Sequence, residues 1–260
     1  MIKKYLNFFW ENLKISFKSL VEYKASFFAG LFTEISFLIS KLIIIIIIQN
    51  IGFLPDWEIK DFLLYIVLIT YFDTLSGLFL WKDDLKTILL EGEFSSYYLR
   101  PINAFINYSL RLNKYSLGFL SLDLTLLIFL FIYYKINLLN IIIMSFFSLF
   151  FLFFIILFYL FIVSLVLISF GFEKIINLTR SIDITTYSYP PIIFKNTSLK
   201  YMYIFTISFW VSFYSIEILK GNFSVLNPFV FLFLIFGIIL FYFLNIIIWK
   251  HAIKKNEGYI

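Results

Sequence analysis

Cysteine is absent and histidine occurs once, at His251. Without cysteine there are no disulfides, zinc–thiolate sites or iron–sulfur clusters. One histidine excludes multi-histidine metal sites and histidine relays. Charge is also scarce, at 14% of residues, where a soluble domain carries about 25%. None of the nine glycines stands in a phosphate-cradling loop before Lys-Ser/Thr, and no G-x-S-x-G elbow occurs. The chain therefore does not draw energy from ATP by itself, and an enzyme built on an activated nucleophile lacks its usual parts. What is abundant is apolar: 62% of the 260 residues are hydrophobic and the mean hydropathy is +0.96. That is more than one water-soluble core can hold, so the bilayer is the expected solvent.

The apolar residues gather in six blocks, at 27–48, 62–80, 117–134, 141–170, 203–219 and 225–249. A spanning helix needs about 20 residues. The expected fold is therefore all-α and polytopic, with six transmembrane helices in a single permease-like domain over 1–260. Block 141–170 is long enough to tilt or project beyond the lipid. Block 203–219 is the shortest and fits a re-entrant or interfacial helix as well as a span.

Lys and Arg set the orientation. With the N-terminus placed in the cytoplasm, seventeen of the 21 basic residues fall on that side, in 1–24, 81–116, 171–202 and the tail. Lys60, Lys135 and Lys220 fall opposite, and Lys41 lies within a span. Both termini are thus expected in the cytoplasm, with the chain in the inner (plasma) membrane. The basic residues do not cluster on one soluble face, so no nucleic-acid partner is expected. Residues 1–20 lack a signal-peptide core and cleavage site. Ile2, Leu6, Phe9, Leu13, Phe17 and Leu20 recur at helical spacing opposite Lys4, Asn7, Glu11, Lys14 and Lys18. With Trp10 at its flank, residues 1–24 predict an amphipathic helix lying in the interface against membrane lipids.

Ionisable residues inside the blocks need partners or water. Glu34 and Lys41 share a helix face, and Asp73 lies deepest in its block. Glu34 and Asp73 are candidates for an intramembrane polar path, or are helix–helix contacts. Asp123 and Glu217, nearer the block ends, read as structural. The segment 81–101, WKDDLKTILLEGEFSSYYLRP, opens as a short amphipathic helix with Leu85, Ile88 and Leu89 on one side. It breaks at Glu91-Gly92-Glu93 and restarts at Arg100-Pro101. A helix of this kind between two spans suits a cytoplasmic docking surface.

The string LLEGEFSSYYLRP resembles the G-(D/E)-(L/F)…LLRP segment of permeases of the type-2 ATP-binding cassette (ABC) exporter class. Tyr189-Pro190-Pro191-Ile192 is similar to that family's segment before its penultimate apolar block. Trp249 with Glu257-Gly258-Tyr259 resembles its closing pattern. The resemblance implies a permease subunit that forms a substrate pathway with a second permease, as a homodimer or heterodimer. It also implies drive by a separate ABC ATPase subunit and no cofactor of the chain's own. Leu85, Ile88, Leu89, Glu91, Gly92, Glu93, Arg100 and Pro101 would couple it to the ATPase. In related exporters the Pro-containing segment lies outside and a re-entrant helix follows it, which would make 172–188 a weak span. Charge instead favours 203–219 as the fifth span. A proton- or ion-coupled secondary transporter using Asp73 and Glu34 is the alternative function, and a membrane enzyme or scaffold a further one.

Overall fold

The computed structural model describes residues 2–22, 24–50, 57–78, 103–109, 114–169, 172–188, 190–195 and 197–257. Among these, every regular element is helical. In chain order they are α1 (Ile2–Glu22), α2 (Lys24–Asn50), α3 (Ile59–Gly77), α4 (Ala104–Ser109), α5 (Lys114–Tyr133), α6 (Leu138–Ser164), α7 (Glu173–Ser188), α8 (Ile207–Leu219) and α9 (Pro228–Glu257). A 3₁₀ turn, Leu165–Leu167, extends α6. Two more, Pro191–Phe194 and Ser198–Tyr203, lie between α7 and α8.

Local chemistry sets the helix ends. The Asn137 side chain accepts from the Leu139 N–H at 2.9 Å and starts α6. Glu58 and Asp61 form a capping box at α3, with the Glu58 N–H donating to Asp61 Oδ2 at 3.0 Å. Pro228 opens α9 while Asn227 Oδ1 accepts from the Phe229 N–H. α8 closes in a Schellman turn. The Asn222 N–H reaches Glu217 O and the Gly221 N–H reaches Ile218 O, with Gly221 at φ 84°, where a side chain would be strained.

Three stretches are long and apolar enough to cross a membrane: Ser116–Tyr133, Leu138–Leu167 and Pro228–Lys255. Their outward faces are apolar. On α9, Phe229, Leu232, Phe236, Phe243 and Ile247 are exposed, as are Ile142, Phe146, Leu149 and Phe153 on α6. In water such surfaces are aggregation sites; in a bilayer they are the lipid contact. α6 and α9 make the most extensive pairing, and α3 packs on α5, α2 and α6. At the α6–α9 contact, a Cβ on Gly237 would stand 2.4 Å from Phe154 Cε2, so only glycine admits this ring. The centre is aromatic. Trp210 of α8, 1% exposed, is stacked with Phe151 and meets Phe147 and Phe154 of α6. Phe151 in turn takes the edge of Phe72 from α3 at 4.8 Å.

The block expected to run over 203–219 has an unexpected form. It begins as a 3₁₀ turn and becomes a thirteen-residue helix containing a π turn at Val211–Ser215. At 1.5 Å per residue α8 is at most about 20 Å long. Its apolar residues Ile207, Phe209, Val211, Ile216 and Ile218 are buried against protein. α7, by contrast, is polar along much of its length, yet it packs on α6 and on the first turn of α8.

Candidate functional site

Polar side chains inside the bundle fall into three groups at different depths. The first lies at the Asp61 end. Asp61 is 1% exposed and its Oδ2, besides capping α3, sits 3.3 Å from Lys220 Nζ. Lys220 follows the last residue of α8, and the Leu219 carbonyl accepts from Asn140 Nδ2 of α6 at 3.1 Å. The end of α8 is therefore held at the starts of α3 and α6. Glu58 is solvent-exposed there, and the Lys60 ammonium 2.9 Å away holds its carboxyl below the usual range.

The second group lies in the middle. Asp123 of α5, fully buried, accepts from Thr74 Oγ1 of α3 at 2.8 Å. It lies about two turns into its block, as expected, and it joins two helices, the structural role expected of it. Asp73 of α3 is half-buried and close enough to the Tyr159 hydroxyl to act on it electrostatically. That hydroxyl donates to the Asp183 carboxylate of α7 at 2.5 Å. Tyr159, Asp183, Thr179 and Thr206 line a cavity of about 80 Å³. Nearby, the Tyr65 hydroxyl of α3 donates to the Thr186 carbonyl at 3.2 Å. α7 is thus fastened to α3 and α6 through polar atoms, and its opposite side leaves Lys174, Asn177, Ser181 and Thr185 exposed.

The third group lies at the other end; of its members only Trp249 was singled out from sequence, as part of the closing pattern. Trp249 Nε1 donates to Ser164 Oγ at 2.9 Å, and Ser164 Oγ donates to Asn245 Oδ1 at 3.2 Å. Asn245 Nδ2 donates to the carbonyls of Leu157 and Phe241. Ser164 and Asn245 are fully buried and Trp249 is 2% exposed. The indole also packs against Phe105 and Tyr108 of α4, at centroid distances of 6.0 and 5.4 Å. The available signal was a lone Asn in the apolar run of α9, one turn before Trp249.

Of the residues expected to act, Asp73 lies in the central group. Glu34 is on α2, its side chain outside the described residues. Lys41 of α2 is buried with its Nζ 4.3 Å over the Phe37 ring. Leu85, Ile88, Leu89, Glu91, Gly92, Glu93, Arg100 and Pro101 all lie outside the described residues. α4, which begins three residues after Pro101, is the described element nearest to them in sequence.

Two larger concavities lie among the described residues. An apolar groove of about 530 Å³ runs between α3, α4, α6 and α9, past Leu75, Phe105, Leu152, Ile156 and Tyr242. A cup of about 260 Å³ is lined by Lys200, Tyr201, Phe209, Phe213, Tyr214 and Val225. Among the described residues no three His, Asp or Glu side chains converge as metal ligands. Among the described residues the polar groups join helices and line small cavities.

Compared with known proteins, residues 35–259 match the family described as ABC-2 family transporter protein. No curated protein and no solved structure matches the chain.

Proposed function

The chain belongs to the ABC-2 family of transporters, and we propose that it is the permease that, with a second permease subunit, encloses an export path driven by a separate ABC ATPase. The family match over most of the chain carries this reading. As a permease it is the transport component of an ABC exporter and not itself the enzyme. α4 supports a route for the drive. The segment 82–101 leads into α4, and α4 is clasped to α6 and α9 through Trp249. A push delivered to 82–101 by closure of the ATPase dimer would pass into the bundle rather than be lost in a loop.

The topology we propose puts the Asp61 end outside and the Trp249 end in the cytoplasm. α2, α3, α5, α6, α7 and α9 cross, α8 re-enters from outside, and α1 lies in the cytoplasmic interface. One observation supports α8 as re-entrant: Lys200, before α8, and Val225, after it, line one cavity, so the two ends of the segment lie close together. The end of α8 meets the start of α3 through Lys220 and Asp61, a contact that both topologies allow. Lys195 and Lys200 then lie outside, and most basic residues stay in the cytoplasm. The exposed Lys174, Asn177, Ser181 and Thr185 of α7 are unsuited to hydrocarbon and suit a watered path or the second permease. The apolar, aromatic-rich spans fit an amphiphilic or lipid-like cargo.

Coupling gives the test. Leu85, Ile88 and Leu89 are proposed to pack into a groove on the ATPase, with Glu91 and Glu93 at the rim. Losing an apolar anchor costs about 2 kcal/mol or more, about thirtyfold in affinity. Leu89→Asp should abolish ATPase copurification with the permease still inserted, while Glu93→Ala only weakens it. An unchanged complex in Leu89→Asp removes the segment from the coupling role.

A further inference from the structure

The cup beside α8 has a composition that the transport path does not require. Its wall on one side is the 3₁₀ segment Ser198–Tyr203, which lies against the first turn of α8. Phe209 and Phe213, one helical turn apart on α8, supply an aromatic floor. Three of its lining residues carry hydrogen-bond donors: Lys200, the exposed Tyr201, and Tyr214. Lys200 is half-buried, its ammonium 5.0 Å from the Tyr201 ring centroid. Among the described residues no carboxylate pairs with it, and neither phenol donates to a protein acceptor. The two phenols are near enough to affect each other electrostatically.

We propose that this cup binds an anionic amphiphile, with the anion on Lys200, Tyr201 and Tyr214 and the adjoining methylenes on Phe209 and Phe213. An ammonium and two phenols without a protein acceptor among the described residues suit a phosphate, sulfate or carboxylate, and charge-assisted bonds of this kind are the stronger class. A cationic head is repelled by Lys200. A bare inorganic anion gains the same donors but is stripped of water against rings that offer it nothing, so it binds poorly. The alkyl stem resolves that mismatch by covering the aromatic floor. A volume of about 260 Å³ admits a head group and a few carbons, several times the roughly 30 Å³ share of one water. The location of the cup on the non-cytoplasmic side rests on the topology proposed above; the binding chemistry does not.

The test uses the full chain in zwitterionic nanodiscs and isothermal titration with decyl phosphate, inorganic phosphate and decyltrimethylammonium. Decyl phosphate should show one saturable site above empty nanodiscs. Lys200→Gln should weaken it about tenfold or more, and Tyr214→Phe less, about fivefold, in keeping with loss of a charged and of a neutral donor. Lys200→Arg should retain binding, which separates loss of charge from loss of folding. Inorganic phosphate should bind far more weakly and decyltrimethylammonium not at all. Equal binding by Lys200→Gln, or by the cationic amphiphile, overturns the proposal. Phosphate binding as tight as decyl phosphate overturns the amphiphile in favour of a free anion. In a parallel measurement, Lys200→Cys in this cysteine-free chain should react with an impermeant maleimide from outside intact cells. Labelling only in inverted vesicles overturns the topology and leaves the titration to judge the cup.

Discussion

Trp249 ties the α4 end of the bundle together in two physically separable ways. Its indole N–H donates to Ser164 Oγ, and its ring packs on Phe105 and Tyr108 of α4. Trp249→Phe keeps most of the ring and removes the donor. Interhelical hydrogen bonds in membranes average about 0.6 kcal/mol and reach about 1.7, so this change should cost about 1 kcal/mol. Trp249→Ala also removes a ring that is 2% exposed, and truncations of that size cost about 3–5 kcal/mol. Asn245→Ala should cost about 1 kcal/mol, since it breaks one bond to the Leu157 carbonyl and one from Ser164. Because Ser164 serves both side chains, Trp249→Phe and Asn245→Ala should couple by about 0.5 kcal/mol or more. Reversible unfolding in mixed micelles, with detergent titrated, reads all four values. A second readout addresses function: Trp249→Ala should lower transport-coupled ATP hydrolysis while the ATPase still copurifies, because docking survives and transmission through α4 does not. If Trp249→Ala costs no more than Trp249→Phe, the packing on α4 contributes nothing and the transmission route is wrong.

Gly237→Ala should destabilise by about 1–3 kcal/mol, since its new methyl meets the Phe154 ring at 2.4 Å; a second change, Phe154→Leu, should restore part of the loss in the same unfolding assay, and a neutral Gly237→Ala refutes the close α6–α9 approach. Lys220→Met should cost about 1–3 kcal/mol. That is less than the 3–5 of a fully buried broken pair, because Lys220 is 32% exposed and partly screened; Asp61→Asn in the same chain should recover some of it, and an unchanged midpoint in Lys220→Met would show that the pair does not hold α8. Asp73→Asn should leave ATP-driven transport largely intact, measured in proteoliposomes with and without a proton gradient. Loss of transport together with a requirement for that gradient would replace the exporter by a proton-coupled transporter.

The membrane character of the chain could be read from its low charge and long apolar blocks, and its family from short strings around Arg100-Pro101, Tyr189-Pro190-Pro191 and Trp249. The roles of particular polar residues were harder to read. Asp73 stood out because it was deep in an apolar block, yet the buried acids that join helices are Asp61, Asp123 and Asp183. Asp183 lies in a polar stretch, where it reads only as a charge against a span at 172–188. Ser164 and Asn245 carry no charge, so nothing in composition marks them, although they are the buried polar pair on which α6 and α9 meet. In α1 the expected apolar stripe divides: Phe9 and Leu13 are half-buried, whereas Leu6 and Phe17 are exposed. α1 packs on α5 and α2, so one part of the stripe faces protein and the other is left for lipid.

On the topology proposed above, α7 and α8 differ in a way that hydropathy alone does not read. A transfer scale measures how well a segment tolerates leaving water, and protein interior and lipid both provide such a place. α8 is apolar because Trp210, Val211 and Ile216 sit among rings from α6 and side chains of α3, so it needs no lipid contact. It has no reason to be about 20 residues long. α7 carries Asp183, whose carboxylate is met by the Tyr159 hydroxyl, and the Tyr65 hydroxyl donates to the Thr186 backbone carbonyl, so polar atoms on its protein-facing side are paired. A polar helix whose polar atoms are paired by its neighbours crosses a bilayer more readily than its composition suggests. An apolar helix enclosed by protein need not cross at all. The charge rule counts Lys195 and Lys200 as cytoplasmic only if α8 crosses, and the shared cavity of Lys200 and Val225 is the observation that opposes that assumption. The side of the membrane on which Lys200 reacts therefore decides between the two topologies, and no further refinement of hydropathy can.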